Sequence, residues 1–254
     1  FSDRQYLGTQ VFTWVFAKAV SDIRDMTNLS KATREELSKT YVISYPEPVR
    51  TQVSSDGTEK LAYRLHDGQI IESVLMPEKN HWSLCISSQV GCAMGCAFCC
   101  TATLGFKRNL EVSEIVSQAL HPLRTYPDRQ IRNIVFMGMG EPLLNYDSVI
   151  KSIRILTDKD GPQFSKRRIT VSTCGIIPKL KTLWKDSEAA LAVSLNAPSA
   201  EIRERLMPVT RKYPLEELIE ALKAYQLPNR RRITIEYVLV KGINDRVRDA
   251  RELI

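Results

Sequence analysis

Four of the six cysteines crowd between positions 92 and 100, and a fifth stands just upstream at Cys85. Secreted domains spread their cysteines so that disulfides staple distant loops; crowding of this kind instead points to metal or redox chemistry in a reducing compartment, so a cytoplasmic protein is expected. The longest apolar runs, such as 134–137 and 189–195, are too short to span a bilayer, and no signal-peptide pattern opens the chain.

What surrounds the crowd determines the scaffold. From Trp82 onward, candidate strands at 83–87, 133–137, 169–173, 191–195 and 234–240 alternate with helices. One helix face is traced by Val112, Ile115, Val116, Ala119, Leu120 and Leu123, and another by Leu215, Leu218, Ile219 and Leu222. Repeating strand-helix units imply an α/β fold with a parallel sheet and an active site at the carboxyl ends of its strands. Five such strands are counted, so a closed barrel needs at least one more. Upstream, 1–44 reads as a helical module, with Thr33 and Glu36 as a capping box, and 45–78 as a three-stranded meander turning at Asp56-Gly57 and Asp67-Gly68. The barrel core occupies 79–254. A chain of 254 residues, 43% hydrophobic, holds one main core, and its net charge of +7 favours a polyanionic partner such as nucleic acid.

The run Cys92-Ala-Met-Gly-Cys96-Ala-Phe-Cys99 follows the first strand of the alternation. Three thiolates on a short loop hold three irons of a cubane cluster and leave the fourth open to bind something else. The competing reading is a structural zinc site with Cys85, Cys100 or Cys174 as fourth ligand. Met137-Gly-Met-Gly-Glu141-Pro142 ends the second strand: its glycines allow close approach of a ligand, and the Glu141 carboxylate could receive an ammonium group. As a bare turn it is equally a structural βα loop. The next two strands end in Ser172-Thr-Cys174-Gly and Ser194-Leu-Asn196-Ala-Pro198, whose hydroxyl and amide groups suit a ribose or carboxylate, or simply cap helices.

The cysteine loop resembles the CxxxCxxC loop of the radical S-adenosylmethionine (SAM) superfamily. More of the chain is similar to one of its branches, the RlmN and Cfr adenine methyltransferases. The resemblance covers the opening helices, the Ser54–Gly57 turn, Leu84–Cys92, Gly105–Asn109, Gly138–Asn145, Ser165–Arg168 and Ile235–Val238, and favours RlmN. It implies a partial (β/α)6 radical SAM barrel with the small helical module and meander in front. It also implies one [4Fe–4S] cluster on Cys92, Cys96 and Cys99, and SAM held by Gly140, Glu141, Ser172, Ser194, Leu195 and Asn196. Cys85 falls on the family's resolving thiol and Glu72 on its proton acceptor, although Glu72 alone reads as an exposed strand carboxylate.

The implied reaction is methylation of adenine C2 in 23S rRNA and tRNA. One SAM methylates a cysteine, and a second yields a 5′-deoxyadenosyl radical that takes a hydrogen from that methyl group. The carbon radical adds to the ring, a base removes the ring proton, and a second thiol releases the product as a disulfide forms. A monomer served by an electron donor such as flavodoxin or ferredoxin is expected. The neighbours of Cys85 are expected to be basic and to support its thiolate. Lys107-Arg108, Lys166–Arg168, Arg211-Lys212 and Arg230–Arg232 are candidate phosphate contacts, each also readable as a solvated face. Methylation at C8 as in Cfr, a non-RNA radical SAM substrate, and an inactive RNA-binding relative are the alternatives.

Asn196 stands where the family commonly has His, and Cys174 where it commonly has Ser. Cys100 and Cys174 read as small core or loop residues. The family's sixth strand, a SAM-contacting Asn and the methyl-bearing Cys have no counterpart within these 254 residues, and Phe1 stands where Met is usual, so a fragment of a longer enzyme is expected. Cys174 as a substitute methyl carrier is the other reading.

Overall fold

The computed structural model describes residues 5–228 and 231–254; Phe1 and Arg230 lie outside them. Alternating burial along Glu59–Arg64 (β2) and Ile70–Pro77 (β3) places one face of each strand on the core, and Pro48–Val53 (β1) pairs on the outer side of β2. The carboxylates of Asp56 and Asp67 each accept the N–H two residues on, from Thr58 at 3.0 Å and Gln69 at 3.1 Å, while Gly57 and Gly68 take φ of 85° and 82°. This is the expected meander, but it is not a separate sheet. β3 pairs antiparallel with Trp82–Cys85 (β4), so meander and barrel share eight continuous strands.

Beyond β4 a two-stranded hairpin, Gln89–Val90 (β5) with Arg108–Asn109 (β6), pinches off the cysteine-bearing excursion. The parallel strands follow: Ile131–Phe136 (β7), Ile169–Thr173 (β8), Ala190–Ser194 (β9) and Thr234–Glu236 (β10), in the order β1-β2-β3-β4-β7-β8-β9-β10. Between them run Cys100–Thr103 (α3), Val112–Thr125 (α4), Tyr146–Thr157 (α5), Ile177–Ser187 (α6), Ala200–Leu206 (α7) and Leu215–Lys223 (α8), and Val247–Leu253 (α9) follows β10. Leu84, Ile134, Val171, Leu191 and Val193 point outward beneath these helices and are fully buried; burial of each such side chain stabilises the fold by about 1.5–3 kcal/mol. By register the opposite face carries Cys85, Val135, Thr170, Ser172, Ala192, Ser194 and Glu236, which apart from Val135 are small or polar.

Two expectations are corrected. The strand expected over 234–240 stops at Glu236, because side-chain amides capture the backbone groups a longer strand would give to β9. Val238 N–H donates to Asn196 Oδ1 at 2.8 Å, and Val240 N–H to Asn244 Oδ1 at 2.6 Å. The second helix of the N-terminal module spans Lys31–Thr40 (α2) and is capped by Ser30, whose hydroxyl accepts Thr33 N–H at 3.1 Å, so Thr33 lies inside it. With Gln5–Phe12 (α1) before it, the module has its own small core of Ile23, Met26, Leu29 and Leu37. Among the described residues no helix is long and apolar enough to cross a membrane.

Candidate active site

The polar run after β4 builds the floor of the site. Ser87 N–H donates to Gln118 Oε1 and Gln118 Nε2 returns a bond to Ser87 O, at 2.8 and 3.0 Å, tying the strand end to the middle of α4. Ser87 Oγ donates to Glu72 O at 2.6 Å and accepts Met139 N–H at 2.9 Å. Gln89 Oε1 accepts Glu141 N–H at 2.8 Å. Buried polar groups must be paired; here they are paired to the 138–141 turn, which is thereby locked against the base of the cysteine loop. Gly140, at φ 101°, leaves no room for a side chain, since a Cβ there would lie 2.8 Å from Gln89 N.

Glu141 lines the site and is bonded mainly within the protein. Its carboxylate, 2% exposed, accepts Leu143 N–H at 3.0 Å, Thr173 Oγ1 at 2.7 Å and Cys174 N–H at 2.8 Å. Three of roughly four lone-pair positions are thus spent inside the protein, and the carboxylate's part is to join the turn after β7 to the end of β8. Burial pushes its pKa up, and these hydrogen bonds pull it back.

Above this floor lies a cavity of about 400 Å³, the size of a small-molecule site. Cys92, Cys96 and Cys99 line it, and opposite them stand Gly138, Gly140, Glu141, Ser172, Ser194, Asn196 and Glu236. Among the described residues, no three His, Cys, Asp or Glu side chains converge as ligands of a single ion. Three thiols on one loop are the donor set of a cubane in which each of three irons takes one thiolate. A larger apolar groove of about 660 Å³ lies between the N-terminal module and α4, without convergent polar groups.

Residues 86–254 match the radical SAM superfamily, and residues 1–43 match the ribosomal RNA large subunit methyltransferase N-terminal domain. A protein of Geotalea uraniireducens called dual-specificity RNA methyltransferase RlmN is 50% identical over 98% of this chain and 72% of its own length. The chain belongs to the RlmN family of radical SAM enzymes. A probable RlmN of Aquifex aeolicus is 48% identical, over 98% of this chain and 72% of its own. A radical SAM methyltransferase from Sphaerobacter thermophilus superposes with a TM-score of 0.91 at 42% identity, covering 98% of this chain and 74% of that one. Membership implies a [4Fe–4S] cluster and SAM, and three thiols on the cavity wall are the donor type such a cluster takes.

Within this RlmN-family site the residues named from sequence divide into two sets. Both cavity serines donate to one oxygen of Glu236, Ser172 at 2.6 Å and Ser194 at 3.0 Å. Asn196, at φ 59°, lines the wall, but its side chain is occupied in pinning the exit of β10. Leu195 does not line the cavity, and its backbone bonds Glu236 O and the guanidinium of Arg203. Cys85 and Glu72 stand off the cavity wall. Val74 pairs with Cys85 across β3 and β4, so Glu72, two residues from Val74, shares the inner face with Cys85 as its diagonal neighbour. Lys60 holds the Glu72 carboxylate at 3.0 Å.

Against expectation, the surroundings of Cys85 do not support a thiolate: Lys60, on the same face, is paired with Glu72. Burial pushes its thiol up to about 11, a backbone hydrogen bond from Met137 opposes this, and the negative charge of Glu236 raises it further. Arg108 of the first basic pair is a structural ion, clamped by Asp67 at 2.7 Å and Glu114 at 2.8 Å, where Glu114 also caps α4. Lys166–Arg168 and Arg231-Arg232 precede parallel strands and so lie at the end opposite the cavity; Lys166 is paired with Glu188. Glu236 lies in the 235–238 run of the resemblance but carried no role in the sequence, since only the strand register brings it to the two serines, and Arg203 belongs to no motif at all.

Proposed function

We propose that this chain is a radical SAM RNA methyltransferase that methylates adenine C2 in 23S rRNA and in tRNA. The observation that carries the reading is the single cavity in which Cys92, Cys96 and Cys99 face the 138–141 turn and the Ser172–Ser194–Glu236 trio, with Cys85 on the adjoining inner face. When bound there, the cluster and SAM supply one-electron chemistry able to functionalise a carbon that carries no nucleophilic lone pair.

The chain's own residues supply the site around them, apart from the methyl-bearing cysteine, which has no counterpart among these 254 residues. The three loop cysteines hold the irons. Gly140 gives SAM close access to the backbone of the turn, while Ser172, Ser194 and Asn196 line the wall that orients it; the Leu195 backbone bonds keep that wall in place. Glu141 fixes the turn to β8. Cys85 is kept as a neutral thiol until substrate fills the inner face, which protects it from premature oxidation. Glu72 accepts the proton leaving the ring, and Lys60 holds its carboxylate toward that face. RNA binding draws on the positive charge of the chain and on the N-terminal module, whose match is to a ribosomal RNA methyltransferase domain. A flavodoxin or ferredoxin serves as reductant, and the enzyme works as a cytoplasmic monomer.

The test is anaerobic reconstitution of the full-length protein with iron and sulfide, followed by SAM, reductant and unmodified ribosomal RNA or tRNA. Formation of 2-methyladenosine supports the proposal. 8-Methyladenosine would place the enzyme with Cfr, and SAM cleavage without RNA methylation would point to another substrate.

A further inference from the structure

Arg203, on α7, is the largest fully buried side chain among the described residues, 0% exposed. Its side-chain hydrogen bonds go to carbonyls and one hydroxyl, none to a carboxylate. Its guanidinium is instead spent on the ends of two barrel strands. Nη2 donates to Cys174 O at 2.7 Å and Ser194 O at 3.2 Å, Nε to Leu195 O at 3.1 Å, and Nη1 to Thr210 Oγ1 at 2.8 Å. The same helix reaches the cysteine loop, because Leu206 O accepts Ala97 N–H at 2.9 Å, between Cys96 and Cys99. The groups that act on its charge are sulfurs. Burial lowers its pKa, and Cys174 and Cys96, whose Sγ atoms are 4.0 Å apart, raise it again.

A buried cation with no anion beside it is costly, and carbonyl dipoles offset that cost only in part. A cluster held by three thiolates is itself anionic and becomes more so on reduction. We propose that Arg203 is a positioning residue that also acts electrostatically, as the buried counter-charge of the cluster site. Its charge eases reduction there, while its fork holds the ends of β8 and β9 to the helix that docks the cysteine loop. This rests on the radical SAM reading of the three cysteines. It adds a determinant of redox poise that lies outside the cysteine loop and outside the cavity lining.

The test compares wild type, Arg203→Gln and Arg203→Lys, all full-length and anaerobically reconstituted, by midpoint potential and by iron retained under chelator challenge. Gln removes the charge, and the potential is expected to fall by about a factor of ten in the reduction equilibrium, ~59 mV for one electron. Lys keeps the charge without the planar fork, so its potential is expected to stay within about threefold of wild type while iron is lost faster. An unmoved potential in Arg203→Gln, or an equal fall in both variants, overturns the counter-charge and leaves only a clamp. If the Gln variant does not fold, a tenfold fall in Arg203→Lys overturns it equally. Wild type that assembles no cluster overturns the cluster reading itself, a result separate from an unmoved Arg203→Gln.

Discussion

Ser172 donates its hydroxyl to Glu236 at 2.6 Å across the width of β9, over the small side chain of Ala192. Because Ser194 donates to the same oxygen, the carboxylate organises one wall of the cavity from three strands. Replacement of Glu236 by Ala leaves both hydroxyls without their acceptor and free to turn away. SAM affinity of the reconstituted enzyme is expected to fall about tenfold, ~1.4 kcal/mol, by isothermal titration with cluster content unchanged. Wild-type affinity in the variant would remove Glu236 from the binding wall.

The raised pKa of Cys85 has a chemical readout. With the thiol near 11, roughly one molecule in a thousand is thiolate at pH 8. Iodoacetamide should therefore label exposed Cys100 long before Cys85, as followed by peptide mass spectrometry. The negative charge of Glu236 raises this pKa, so Glu236→Gln lowers it, and labelling of Cys85 should begin at lower pH. Labelling that ignores the substitution would contradict the electrostatic link.

Gly140→Ala sets a methyl group against the Gln89 backbone in a left-handed conformation. Strain and overpacking together cost about 2–4 kcal/mol. A lower urea midpoint and loss of SAM binding are both expected, whereas Gly8→Ala, with open space around it inside α1, should leave SAM binding unchanged and raise the midpoint slightly.

Asp67 is held down to about 2, first by its hydrogen bond from Arg108. A carboxylate whose folded pKa lies below the ordinary 3.8 contributes stability above that value and loses it as pH falls through about 2. Asp67→Asn should therefore lower the urea midpoint of the metal-free protein at pH 6, and the gap to wild type should narrow progressively below pH 4. A gap that stays constant with pH would assign the loss to packing instead.

The alternation of strands and helices, the meander turns and the cysteine loop were legible because each depends on neighbours in the chain: period, turn residues and ligand spacing. The strand at 169–173 matched to the residue. The extent of β10 was not legible, since the amides that end it come from Asn196, just past the end of β9, and from Asn244, beyond its own end. Nor was the state of Glu141, whose donors lie up to 33 residues away.

The sequence by itself determined that three closely spaced cysteines sit at the first strand-to-helix turn of a parallel sheet, because residue spacing and hydrophobic period are local properties. Only the tertiary structure decided which charges face them. Register brings the carboxylate of Glu236 toward Cys85, packing buries Arg203 beside Cys174, and parallel strands carry the 166–168 cluster to the far end. The physical reason is that Coulomb interactions act through space and a desolvated charge is set by everything packed around it, whereas the chain records only order.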